Sequence, residues 1–155
     1  KIMQNATKTF ISSAFWTEKM GPSCALAFIK KHKKLNLGKI LIKKGKKIKN
    51  IWHRAAKNAG LGITIQGIDP LASFKLHIKD WRIGLTYFIQ EMLKKKILAS
   101  DRCYANYMHS DNLIKKYEQA CFEIFTKISQ LEESKKLSKN LDGPPKQMDF
   151  KRLTN

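Results

Sequence analysis

Residues Gly62 to Trp81 read GITIQGIDPLASFKLHIKDW, and this stretch decides the fold. Ile63 to Gln66 alternate and are rich in β-branched side chains, as a half-buried strand requires. Gly67, Asp69 and Pro70 make a turn, and Leu71 to Ile78 reads as a second strand, so an antiparallel pair is the economical assignment. Asp80 then stands where a helix N-cap belongs, because a carboxylate can accept from the free N–H groups of the first turn.

Upstream of this pair, Leu41, Ile48, Trp52, Ala55 and Ala59 recur at close to helical spacing. Lys43, Lys44, Lys46, Lys47 and Lys49 lie largely off that stripe, which predicts an amphipathic helix from Ile40 with a basic outer face, ended by Gly60 and Gly62. Before it, a helix is expected to start near Gly21 and Pro22, proline being tolerated in a first turn, with a break at Asn36 and Gly38. Thr9 to Phe15 reads as a strand and the loop leaving it. Downstream, the helix capped by Asp80 should run from about Trp81 to Lys96 with Ile83, Tyr87, Met92 and Leu93 inward and Lys94, Lys95 and Lys96 in its last turn. Ile97 to Ala99 is predicted as a third strand. Ser110 or Asp111 caps a last helix to about Leu131, with Ile114, Tyr117, Cys121, Ile124, Phe125 and Ile128 on one side. The resulting order, helix, strand, strand, helix, strand, helix, is that of an α+β layer: a short sheet covered by helices.

The chain has 155 residues, 43% of them hydrophobic, enough for a real core in one domain or in part of a larger protein. Its longest uninterrupted apolar run, Cys24 to Ile29, is far short of the roughly 18 residues that a membrane span needs, so no membrane partner is expected. Three cysteines, Cys24, Cys103 and Cys121, are widely spaced and odd in number. They fit buried thiols in a reduced, cytoplasmic protein better than a disulfide framework. Thirty-one basic residues against 12 acidic ones give a net charge of +19, which invites a nucleic-acid reading. Only Arg54, Arg82, Arg102 and Arg152 are arginines, however, and arginine is the side chain suited to bidentate phosphate and base contacts. A charge carried by 27 lysines is better explained as lysine enrichment on solvated faces.

Motif chemistry is sparse. His32, His53, His77 and His109 are dispersed and no CxxC, HxxxH or HExxH spacing occurs, so no metal site is expected. Neither a GxxxxGK phosphate loop nor a GxSxG nucleophile elbow is present, and the acids are too scattered for a carboxylate pair. Cys103 and His109 flank a loop and can meet, but a core thiol beside a hydrogen-bonded imidazole is the simpler interpretation.

One segment carries more. Phe10 to Pro22, FISSAFWTEKMGP, resembles the FISSTFWTExxGP segment of class III pyridoxal-phosphate aminotransferases, in the branch close to glutamate-1-semialdehyde aminomutase. The resemblance continues in order through GKKIK at Gly45 to Lys49, GIDPLASF at Gly67 to Phe74, QEML at Gln90 to Leu93, LAS at Leu98 to Ser100, GPP at Gly143 to Pro145 and FKRLT at Phe150 to Thr154. It therefore spans practically the whole chain.

This resemblance implies the C-terminal part of a fold-type I enzyme that moves an amino group through a Schiff base of pyridoxal 5'-phosphate. Residues 1–20 would end the large cofactor-binding domain, residues 21–60 would form a connecting helix region, and residues 61–155 the small C-terminal domain, a short mainly antiparallel sheet covered by helices. The Schiff-base lysine would lie upstream of Lys1, leaving this part alone without catalytic activity. In the family a threonine of the loop reaches across a homodimer interface and holds the partner's cofactor phosphate. Ala14 occupies the matching position, so Ser12, Ser13 and the Ala14 N–H are the implied cofactor-binding groups, in an interface loop from Ser12 to Trp16. The implied substrate is a small amino acid with a keto or aldehyde partner. The alternative from another class is a basic nucleic-acid-binding module using the Lys30 to Lys49 face; Trp16, Trp52 and Trp81 do not form a stacking platform for it.

Overall fold

A computed structural model describes residues 18–147. These residues fall into two units, 18–36 and 37–147. The first contains helix α1, Met20–Leu35, with Gly21 and Pro22 in its opening turn, where the missing proline N–H costs nothing. No residue of α1 is buried, and Asn36 ends it in the left-handed region at φ 47°.

The second unit is α+β. Helix α2 (Leu37–Asn58) leads into a hairpin of β1 (Ile63–Ile68) and β2 (Leu71–Leu76). Helix α3 (Trp81–Lys94), strand β3 (Arg102–Tyr104), helix α4 (Asp111–Glu133) and a short 3-10 turn at Leu137–Asn140 complete it. The sheet order is β1-β2-β3 and both pairings are antiparallel. Opposite partners run Ile65 to Phe74, Gly67 to Ala72 and Ala72 to Cys103. Because side chains alternate along a strand, this register sends Ala72, Phe74 and Leu76 into the core and leaves Leu71 and Lys75 outside. Ile68, Leu71 and Tyr104 are opposite one another across the three strands and all are exposed.

Phe74 is the centre of the core. Its ring lies 4.8 Å from Trp52 of α2, 5.3 Å from Phe88 of α3 and 5.5 Å from Phe125 of α4, so one side chain of β2 touches all three helices. Trp52, Phe88 and Phe125 are fully buried. Truncating one such ring to alanine typically costs about 3–5 kcal/mol. The helices present stripes matched to this core: Ile48, Ile51, Trp52, Ala55 and Ala56 from α2, and Ile114, Cys121, Ile124, Phe125 and Ile128 from α4.

The caps follow the sequence. Asp80 Oδ1 accepts from the Arg82 N–H at 2.9 Å, and Ser110 Oγ accepts from the Leu113 N–H at 3.3 Å. At the other ends, α3 and α4 close in the same way. The Ile97 N–H donates to Met92 O and the Lys96 N–H to Leu93 O; the Lys136 N–H donates to Leu131 O and the Lys135 N–H to Glu132 O. These are the paired bonds of a Schellman closure, and they put Lys96 (φ 61°) and Lys135 (φ 55°) in the left-handed region usually filled by glycine.

Several expectations need correction. The third strand is Arg102–Tyr104, not Ile97 to Ala99. The closure at Lys96 reverses the chain, so Ile97 and Ala99 pack against the core as irregular backbone, and the ladder starts only where Arg102 comes opposite Ser73. Leu93, expected inward, is 51% exposed, because Leu85, Phe88 and Met92 define the buried face and Leu93 lies about 100° round from Met92. Helix α2 begins at Leu37, so Gly38 lies inside it and Asn36 alone makes the break. Of the three thiols, Cys121 is buried, Cys103 half-buried and Cys24 exposed. The strand expected at Thr9 to Phe15 lies outside the described residues. Among the described residues, no helix is long and apolar enough to cross a membrane.

Candidate functional site

The residues expected to hold a cofactor, Ser12, Ser13 and Ala14, lie outside the described residues, as does the interface loop to Trp16. Two other places in the second unit gather the sequence features with chemical content.

The first is a joint between α2 and the hairpin turn. Gly45 is buried, and a Cβ built there would overlap the Asp69 carbonyl, so the helix can pass this close only with glycine. Next to it, Lys49 Nζ donates to Gly67 O at 2.8 Å and pairs with the Asp69 carboxylate at 3.0 Å. Gly67 itself has φ 84°, with its Cα against the Leu71 carbonyl. Two distant segments, Gly45 to Lys49 and Gly67 to Asp69, thus meet in one contact.

The second is a cavity of about 290 Å3 between α2 at Ile48, the 96–99 segment, β3 and α4. Ile48, Ile97, Ala99, Ile114 and Tyr117 supply apolar wall, while Lys96, Arg102 and Lys116 supply charge. Cys103 and His109 both line it, so the structure does bring these two together around one space. Neither is set up as half of a catalytic pair. Burial pushes the Cys103 thiol up, away from the thiolate form that attacks. Burial, and then the Lys44 ammonium, hold His109 below its usual value near 6.5. Its Nδ1 accepts from the Asn106 N–H at 3.2 Å, and Lys44 Nζ donates to His109 O at 2.6 Å and Tyr107 O at 2.5 Å. These bonds anchor the 106–109 turn beside the cavity.

Deeper in, Trp52 Nε1–H donates to Tyr117 Oη at 2.8 Å. Burial raises the Tyr117 phenol well above its ordinary value, and likewise the Cys121 thiol, so neither ionises in ordinary conditions. Among the described residues no group of three or more His, Cys, Asp and Glu side chains is placed to hold a metal.

The basic face of α2 is partly committed within the molecule. Lys44 holds the 106–109 turn, Lys47 pairs with Asp111 at 2.6 Å, and Lys49 holds the hairpin turn. Sequence periodicity placed these lysines outside the apolar stripe but carried no signal of their partners, which come from segments far along the chain.

Comparisons with family models, with curated proteins and with solved structures found no match to this chain.

Proposed function

We propose that the chain is the C-terminal part of a class III pyridoxal-phosphate-dependent aminotransferase or aminomutase, contributing the small domain to a cytoplasmic homodimer. The observation that carries this reading is the joint at Gly45 and Asp69. Two of the segments through which the sequence resembles that family, GKKIK and GIDPLASF, sit against each other, and the second also supplies Phe74, the centre of the core. Segments matched in order that turn out to form one structural contact favour a shared architecture over coincidence. The antiparallel three-stranded sheet with helices on its buried face agrees with the small domain that the resemblance implies.

The described residues do not make a cofactor site by themselves. A Schiff-base amine is kept desolvated, whereas Lys96 and Lys116, the lysines at the cavity, are exposed. When bound, pyridoxal phosphate supplies the electron sink for moving an amino group. In this reading its lysine comes from upstream sequence, and Ser12, Ser13 and the Ala14 N–H hold the phosphate across the dimer. The role of the second unit is to fold the small domain against α2 and β2.

The test is to express the reading frame that contains this chain together with its upstream sequence. Stoichiometric pyridoxal phosphate, held as a borohydride-reducible Schiff base on an upstream lysine, and amino transfer from an amino acid are the expected results. An upstream sequence without a large domain carrying a cofactor lysine, or a purified protein that takes up no cofactor, overturns the reading. Stoichiometric Schiff-base absorbance from the 155-residue chain alone contradicts the assignment of the lysine to upstream sequence.

A further inference from the structure

The cavity of about 290 Å3 lies wholly within the second unit and is used by nothing above. Its size is at the lower edge of the roughly 300–1,000 Å3 typical of small-ligand sites, which suits a compact molecule. Its walls are aliphatic and aromatic, from α2, the 97–99 segment and α4. Two polar atoms at the cavity are already engaged: Tyr117 Oη receives the Trp52 N–H, and His109 Nδ1 receives the Asn106 N–H.

The charge around the cavity has one sign. Lys96, Arg102 and Lys116 line it, and among the described residues no acidic side chain does. Three acids of α4 are taken by other partners: Asp111 by Lys47, Glu118 by Arg54 and Glu123 by Lys95 and Lys127. Among the described residues Arg102 has only Asp101, with Nε 3.9 Å from Oδ2, beyond hydrogen-bond reach, while the other carboxylate oxygen accepts from Ser100 Oγ at 2.7 Å. Among the described residues no carboxylate pairs with Lys96 or Lys116. Three cations around an apolar recess are complementary to a molecule with an apolar body and one anionic end, and they oppose cations.

We infer that this cavity binds a small organic monocarboxylate, its apolar body between Ile48, Ile97 and Ile114 and its carboxylate toward Arg102, Lys96 and Lys116. The guanidinium of Arg102 can meet a carboxylate with two parallel N–H bonds, which a lysine cannot do, so Arg102 is the main determinant of orientation. The inference does not rest on the enzymatic reading: the site belongs to this unit and needs neither cofactor nor amino transfer.

Octanoate is the probe, titrated calorimetrically into the full 155-residue chain, with octylamine and octan-1-ol as controls of the same length. The expected result is one octanoate per chain at submillimolar affinity, weakened by added salt, with no measurable octylamine binding. Arg102→Gln should weaken octanoate by about tenfold, since it removes a charge-assisted bond. Leu113→Trp, on an exposed position of α4 that borders the cavity, should block it while the far-ultraviolet circular dichroism is unchanged. Octylamine or octanol binding as tightly as octanoate would reduce the site to a merely apolar recess and overturn the inference. So would octanoate binding that Leu113→Trp and Arg102→Gln both leave intact, or no octanoate binding by the folded chain.

Discussion

Gly45 and Asp69 meet backbone to backbone: the buried Cα of the helix residue faces the Asp69 carbonyl so closely that a methyl group has no room. This contact sets how near α2 can come to the hairpin turn, and the adjacent Lys49 reinforces it by gripping Gly67 O and the Asp69 carboxylate.

Gly45→Ala should therefore destabilise the fold by about 1–3 kcal/mol in urea titrations, the usual cost of overpacking. Alanine's intrinsic advantage in a helix, about 1 kcal/mol, works in the opposite direction and makes the net sign informative. Gly84→Ala is the control. Its Cβ would crowd only the terminal methyl of Ile78, which can rotate away, so a change under about 1 kcal/mol is expected there.

Tyr117→Phe removes the acceptor of the indole N–H of the fully buried Trp52. Leaving that donor unpaired should cost about 1–3 kcal/mol, read as a lower urea midpoint with an unchanged slope. Stability equal to the parent chain would show that the indole finds another acceptor.

Lys135→Gly should raise stability by about 1 kcal/mol. A lysine held at φ 55° in a Schellman closure carries the left-handed penalty that glycine escapes. Lys96→Gly should behave alike for stability, although Lys96 also lines the cavity. The thermal midpoint is the measurement, and an unchanged or lower midpoint counts against the strain.

His109 should make the second unit lose stability as pH falls through about 6.5. Burial and Lys44 depress its folded value, so the unfolded chain binds the proton more readily; the contribution is present above the unfolded value and lost below it. The carboxylates held low by lysine partners, Asp111, Glu123 and Glu91, respond in the acid range, below about 4.5. Comparing urea midpoints at about pH 7.5 and about pH 5.5 in the parent and in His109→Gln isolates the imidazole, and an equal pH dependence in both sinks the assignment.

Much of the second unit was legible in the chain itself. Alternation across Ile63 to Gln66 and the turn residues Gly67, Asp69 and Pro70 located the hairpin, and the Ile114 to Ile128 spacing located the buried face of α4, because turn chemistry is local and burial on one side imposes a period that local sequence displays. Asp80 and Ser110 were legible as caps because their chemistry acts within three residues. The third strand was misplaced because Ile97 to Ala99 has strand-like composition, while ladder pairing depends on what lies opposite, here Ala72. The exposed Cys24 and Leu93 likewise carry apolar identities whose side of the helix only packing determines.

Local sequence by itself determined the helices, the hairpin and the caps, all of which depend on neighbours within a few residues. Tertiary structure alone decided the Gly45–Asp69 contact, the commitment of Lys44, Lys47 and Lys49 to internal partners, and the cation-lined cavity. Each of these joins residues far apart in the chain, and their meeting depends on how three helices close around Phe74.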